Sequence, residues 1–306
     1  MTAVSEATRP RTGAGAAPPR NKAPIRPARI LLYVFLTLVA VGWLLPILFA
    51  VYASLRPYAE TAQYGYFSLP KHLTLHYYAQ AWDVGLPKYY KNTFLIALPS
   101  VLLILFFSSF VAFAISRVRI RGAKFLLVLF TAGNLLPPQV MVTPLYTLYN
   151  KIPLPEALSQ SSTLYDTIYG VIAIHVAFQT GFCVFVLYNY METVPNELTE
   201  AAIMDGAGVW RQYWQVILPL TRPALGALAT LEFTWIYNDF LWALVLLSTG
   251  DKMPVTSALN NLRGEFFTDY NLLAAGSVLV ALPTMIIFFA LQRQFIAGLT
   301  LGANKG

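Results

Sequence analysis

Residues 197–220 read ELTEAAIMDGAGVWRQYWQVILPL, a polar stretch set between apolar runs. Pro195 and Asn196 offer a helix start just ahead of it, and Glu197 and Glu200 fall in the first turn, where the helix dipole favours acids. Gly206 and Gly208 permit a sharp turn. After them VWRQYWQVI forms a second short helix that Pro219 stops. Trp210 and Trp214 stand four apart and share one face. The reading is a helix–turn–helix whose first arm carries two small residues, Ala201 and Ala202, flanked by acids: the shape of a plug for a groove in another protein. A helix lying flat on the membrane is the competing reading. Such helices are rich in Lys and Arg on their polar face, whereas this loop sets Glu192, Glu197, Glu200 and Asp205 against Arg211 and Arg222.

The surroundings of the loop decide the class. Of 306 residues, 57% are hydrophobic and 11% charged, against about 25% charged in soluble domains; mean hydropathy is +0.57. Crossing a bilayer takes about 20 helical residues, and apolar runs of that order occur near 30–55, 93–116, 125–148, 168–190, 222–247 and 272–292. They are continuous rather than alternating, which selects helices over a barrel. The expected fold is an all-α integral membrane protein with six transmembrane helices over 30–292. The first run reads as a retained span, being long, ending in Arg56 without a small-residue cleavage site, and following a long tail. That tail, 1–29, is rich in Pro, Ala and Arg with little to bury and is expected to be disordered; 293–306 forms the tail at the other end.

Placing the N-terminus inside puts fourteen of the 21 Lys and Arg residues on the inner side. The positive-inside tendency therefore puts both termini, and the polar loop, in the cytoplasm. The net charge of +7 follows partly from that bias and implies no nucleic acid. Cys183 is the single cysteine, and His72, His76 and His175 are too scattered for a metal cage. No G-x-x-x-x-G-K-[ST] cradle for nucleotide phosphates occurs. No Ser/His/Asp or Cys/His set is arranged for catalysis, so neither enzyme activity nor a bound cofactor is expected of this chain. The outer segment from Arg56 to Lys91 is aromatic and interrupted by proline, which reads as an ordered cap that could meet a partner or rest at the membrane interface.

Here a resemblance enters. EAAIMDG followed by VILP resembles the EAA loop of membrane subunits of ATP-binding-cassette importers: Glu200, Ala201, Ala202, Gly206, Leu218 and Pro219 fall at the family's spacing, with Val216 where the pattern usually has Ile. NDFLWALVLL at 238–247, LPPQVMVTPLYTLY at 136–149 and QRQFIAGLTLGANKG at 292–306 are similar to carbohydrate permeases of the maltose-transporter type, in particular the smaller six-span subunit. The resemblance implies a type I importer permease fold with a coupling loop at 191–221 that seats in a cleft of an ATPase subunit. Glu200 and Asp205 would supply acids there, Ala201 and Ala202 close packing, and Gly206 the turn, with Leu218 and Pro219 completing the motif. It also implies a second permease as heterodimer partner, two ATPase subunits that carry ATP and Mg, and an extracytoplasmic sugar-binding protein. The C-terminal tail would also reach the ATPases.

For the translocation path the residues themselves offer candidates. Glu232 and Asp239 lie inside a span, at a cost of about 2.5–3.5 kcal/mol each at a helix centre. Seven apart, they are expected on one face of the fifth helix with Trp235 and Ile236. No Lys or Arg lies within a span to pair with them, so they face a polar cavity or a partner chain, or stay protonated. Substrate contact and structural hydrogen bonding both fit that face. Asn238 and Trp242 add a hydrogen-bonder and an aromatic plane that suit a sugar, although aromatic residues also anchor at membrane interfaces. Pro137 and Pro138 break the third span near Gln139, which is tolerated where a helix lines a cavity or is buried in protein, and Gln179 shares a face of the fourth span with His175. Two functions stay open: an importer permease, and an ion- or proton-coupled secondary transporter using Glu232 and Asp239. The loop favours the first, since a secondary carrier needs no such plug.

Overall fold

The computed structural model describes residues 27–118, 120–262 and 268–300. The tail expected over 1–29 lies outside the described residues up to position 26, as do the last six residues. The chain falls into two compact units, Met1–Leu48 and Phe49–Gly306. The first is described as the opening of one apolar helix, α1 (Pro27–Ser54).

The second unit begins with the end of α1 and two short helices, α2 (Tyr58–Tyr64) and α3 (His76–Asp83), before the long α4 (Leu86–Arg117). Then come α5 (Ala123–Gly133), α6 (Pro138–Tyr149), α7 (Ile168–Met191) and α8 (Asn196–Met204). Next, α9 (Val209–Arg211), a π-helical stretch (Gln212–Ile217) and α10 (Leu218–Leu220) run on as one rod. The chain finishes with α11 (Arg222–Tyr237), α12 (Leu241–Leu246), α13 (Val255–Ala258) and α14 (Tyr270–Thr300). Strand pairing among the described residues is confined to an isolated bridge between Pro153 and Thr163.

Among the described residues four helices, α1, α4, α7 and α14, are long and apolar enough to cross a bilayer. Two bent pairs bring the total to as many as six crossings if each counts as one span: α5 with α6, bent by 94°, and Val209–Leu220 with α11, bent by 71°. The third expected span, 125–148, is thus no straight rod. Pro137 is extended (ψ 127°) and Pro138 opens α6, because a residue before proline is barred from the helical region. The fifth expected span, 222–247, also divides: α11 stops at Tyr237 and α12 starts at Leu241. Pro219 does not stop the second arm of the loop, since the rod continues to Leu220 and turns at Thr221. Inside the rod, Pro219 offers no N–H to the ladder. The π-turns just before it, where the Leu218 N–H reaches back to the Tyr213 carbonyl, shift the ladder by one residue.

The core lies between α4, α7, α11 and α14. α4 and α7 run parallel: Leu95 and Pro99 line a groove with Ile172 and Val176, while Ser116 reaches Met191. α11 runs antiparallel beside them, and its Tyr237 hydroxyl donates to the Val280 carbonyl of α14 at 2.9 Å. Gly181 lets α5 approach α7: a Cβ there would lie 2.4 Å from the Phe130 carbonyl oxygen.

Fully buried Asn271, at the start of α14, donates from Nδ2 to the carbonyls of Ala53 and Arg56, both at 2.9 Å, and to the Thr61 hydroxyl at 3.0 Å. It joins the end of α1, α2 and α14 in one knot. Arg56, counted above as an outer basic residue, is 1% exposed and donates to the carbonyl of Tyr66 and the hydroxyl of Ser68. Replacing Asn271 by alanine strands these acceptors away from water and is expected to cost about 2–3 kcal/mol. The check is the thermal unfolding midpoint in detergent, which should fall; an unchanged midpoint would remove the knot's importance.

Candidate functional site

α8 starts without a side-chain cap and ends in a Schellman turn. Gly206 takes φ +76°, its N–H donates to the Ile203 carbonyl, and the Ala207 N–H reaches the Ala202 carbonyl, both at 2.9 Å. This is the 5→2 and 6→1 pair that closes a helix on a left-handed residue. Nothing lies within 4 Å of where a Gly206 Cβ would sit, so the need for glycine is conformational and not steric. Buried Gln212 donates to the Ala207 carbonyl at 2.8 Å and holds the turn against the second arm.

The hairpin presents most of its first arm to its surroundings. Glu197, Glu200, Ala201, Asp205 and Gly206 are exposed, with Ala202, Leu218 and Pro219 half-buried. Among them Leu198, Ile203 and Trp210 stand exposed, and Met204 is 87% exposed. A compact helical turn with apolar side chains among acids is a surface that calls for a partner.

Behind that surface the hairpin is fastened to the end of α4. The Arg117 guanidinium donates to the Met191 carbonyl at the end of α7, to the Val194 carbonyl at 2.6 Å, and to the Asn196 Oδ1 that opens α8. A cation at the carbonyl end of α7 also suits the helix dipole. On the second arm Tyr213 is buried, stacks on Phe110 with ring centres 4.4 Å apart, and shares a 2.7 Å hydrogen bond with Ser109. Trp210 and Trp214 both set their rings edge-on to Phe110. In the sequence Arg117 reads only as a topology charge, and nothing local in Ser109 or Tyr213 marks the pair.

The path candidates separate. Glu232 is fully buried in the α7–α11 seam, where the Cys183 thiol donates to its Oε1 at 3.2 Å and Oε2 has no partner. Asp239 lies past the end of α11, so the two acids do not share one helix face. Its carboxylate accepts from the backbone N–H groups of Trp242 (3.5 Å) and Ala243 (3.3 Å), satisfying the start of α12. Buried His175 places Nε2 3.7 Å from Asp239 Oδ2. Trp242 is 5% exposed, with its ring 5.2 Å from Phe178. Asn238 is exposed and donates to the Thr234 carbonyl of its own helix. Gln139 is exposed and Gln179 half-buried.

At the opposite end from Arg117, Asp166 adopts φ +57° and gathers the backbone N–H groups of Ser248 (2.8 Å) and Thr249 (2.9 Å), the Thr249 hydroxyl (2.6 Å) and Lys252 Nζ (2.8 Å). Burial alone would raise its pKa; the donors from Lys252, Thr249 and Ser248 outweigh it and hold the carboxyl well below the usual range. Lys252 also donates to the Asp166 carbonyl. An open, mainly apolar groove of about 830 Å³ between α4 and α7 ends at this pair.

Known proteins bear on this geometry. The family described as binding-protein-dependent transport system inner membrane component matches residues 104–300. A probable ABC transporter permease protein of Pyrococcus horikoshii is 30% identical over 85% of this chain and 92% of its own length. A probable starch degradation products transport system permease protein of Thermoanaerobacterium thermosulfurigenes is 30% identical over 78% of this chain and 83% of its own. The crystal structure of a bacterial ABC transporter involved in the import of the acidic polysaccharide alginate superposes with a TM-score of 0.74 at 24% identity, covering 87% of this chain and 95% of that one. The all-α membrane fold is therefore that of an ABC importer permease.

Two measurements test the local physics. Gly206→Ala puts a Cβ on a left-handed residue, a cost of about 1–2 kcal/mol, and should raise the rate of protease cleavage in the 205–208 turn while leaving the helical circular dichroism unchanged. Because the folded pKa of Asp166 is depressed, its stabilisation is present above the unfolded value, about 3.9, and is lost as pH falls through the folded value. Asp166→Asn should therefore lower the unfolding midpoint equally at pH 5 and pH 7, and the gap to wild type should close only below about pH 4. A gap that differs between pH 5 and pH 7 would contradict this.

Proposed function

The chain belongs to the family of binding-protein-dependent transport system inner membrane components, and from that premise we propose that it is one permease subunit of an ATP-driven sugar importer, coupled to its ATPase through the hairpin at 191–221. The family is one of transport permeases and not of enzymes. ATP and Mg are assigned to two partner ATPase subunits, and a second permease completes the pore. The observation that carries the coupling assignment is the hairpin itself: an exposed α8 with apolar and small residues among Glu197, Glu200 and Asp205, closed by Gly206 and anchored from behind by Arg117 and Tyr213. Sugar as cargo is supported by the names of the starch-product permease and the alginate transporter. The binding protein follows from the family's own description.

The chain is a multi-pass membrane protein, and we place both termini and the hairpin in the cytoplasm on the strength of the Lys and Arg distribution. The sugar path is assigned to Gln139, Gln179, Asn238 and Asp239, which are exposed or half-buried. Glu232 and Trp242 are sealed in this conformation and join the path where α7 and α11 part. Family membership and the hairpin together favour this reading over a coupled secondary carrier built on Glu232 and Asp239.

The test is co-purification and uptake. Glu200→Lys reverses a charge on the docking face, and Gly206→Asp strains the turn. Each should leave the protein in the membrane, weaken recovery of the ATPase subunits, and reduce sugar uptake by at least tenfold, a change of about 1.4 kcal/mol in coupling. Full uptake by both variants would sink the assignment.

A further inference from the structure

Both arms of the hairpin grip the same two turns of α4. Arg117 holds the start of α8 and the end of α7, while Ser109, Phe110 and Phe113 hold Tyr213 of the second arm. The hairpin's covalent link to α11, by contrast, passes through Thr221 and a 71° bend. Through that bend the Thr221 N–H donates to the Ile217 carbonyl and the Leu225 N–H to the Thr221 carbonyl, both at 3.0 Å. From α7 the Tyr190 hydroxyl reaches the Leu220 carbonyl at 3.4 Å, a long bond beside the three donated by Arg117.

α4 itself continues from this grip as a single helix of 32 residues. Its first turns are fastened as firmly. Asn92 Nδ2 donates to the carbonyls of Asp251 (2.7 Å) and Met253 (3.0 Å), and the Thr93 hydroxyl accepts the Val255 N–H at 2.8 Å. Lys88 pairs with Asp251 at 2.7 Å. The segment 251–255 so held is the one whose Lys252 clasps Asp166. From Asn92 to Arg117 is about 25 residue steps, about 37 Å of helix, and the helix continues through Pro99 without a break, long enough to carry a displacement from one membrane face to the other.

We propose that α4 is the transmission rod of this transporter. Arg117 and Tyr213 act as positioning residues that receive motion from the ATPase-docked hairpin, and Asn92 and Thr93 deliver it to the opposite 251–255 segment. The proposal rests on the coupling role assigned to the hairpin. In it, neither Arg117 nor Tyr213 touches the ATPase. Each acts through the helix it holds.

The experiment uses the complete transporter in proteoliposomes with its binding protein, reading sugar imported per ATP hydrolysed alongside recovery of the ATPase subunits. Tyr213→Phe removes only the bond to Ser109, and imports per ATP should fall about threefold to tenfold. Arg117→Ala should lose more than tenfold, with Arg117→Lys recovering part of it, since a lysine keeps the charge and loses the fork. Asn92→Ala, at the far end, should show the same lowered ratio. In every case the ATPase subunits should be recovered as with wild type, which separates these variants from Glu200→Lys. An unchanged ratio in Tyr213→Phe and Asn92→Ala, with normal protein yield, would overturn the proposal even if Arg117→Ala fails to fold. Loss of the ATPase subunits in Tyr213→Phe would overturn it too, by making Tyr213 part of the docking surface. If no ATPase accompanies the wild-type chain, the coupling role of the hairpin has failed, and that result is distinct from an intact complex with an unchanged ratio.

Discussion

Backbone groups inside hydrocarbon must find partners within the protein, because each one left bare costs several kcal/mol. That constraint explains where this chain keeps its few polar side chains. Asp239 accepts the first N–H groups of α12, and Thr167 takes the Gly170 N–H that opens α7. Arg117 covers carbonyls where α7 ends, and Asn271 covers those where α1 ends. Asp166 serves the N–H groups of Ser248 and Thr249 beyond α12. Asp239, Arg117 and Asp166, among the few charged residues of the chain, thus sit where a helix starts or stops.

Some buried polar atoms go without a partner, both at helix ends, as with Arg117 Nε and Asn271 Oδ1, and between helices. Glu232 and His175 keep unpartnered atoms in the α7–α11 seam, and the thiol of Cys183 is a weak donor for a carboxylate. An unmade buried bond costs about 1–3 kcal/mol, which the packing around the seam has to offset. The contacts of α4 with the hairpin and with 251–255 run through the hydrogen bonds of Arg117, Tyr213, Asn92 and Thr93, with Arg117 Nε left without a partner. The bundle therefore combines a long helix held by specific hydrogen bonds at both ends with a seam that keeps an acid only partly satisfied.

Much of this was legible in the chain, and the reasons differ by feature. Span positions follow from composition over about 20 residues, so the runs near 93–116, 168–190 and 272–292 reappear in α4, α7 and α14. The turn at Gly206 was legible because a left-handed residue has a compositional signature. The end of α11 at Tyr237 was not, since Asn238 and Asp239 stand in an apolar run and what stops the helix is a carboxylate catching N–H groups three and four residues on. The π-turns before Pro219 likewise leave the hydrophobic pattern unaltered. Arg117 and the Asp166–Lys252 pair escaped notice for a third reason: their partners lie 74 to 86 residues away, and no local period encodes that distance.

Cys183 is the only thiol in the chain. It is wholly buried, and it faces the one acid sealed between α7 and α11. A thiol reagent applied to the unaltered protein thus has a single address, in a seam that leaves Glu232 Oε2 without a partner. The native sequence comes with a built-in gauge of helix separation at membrane depth, and no engineered cysteine is needed to read it.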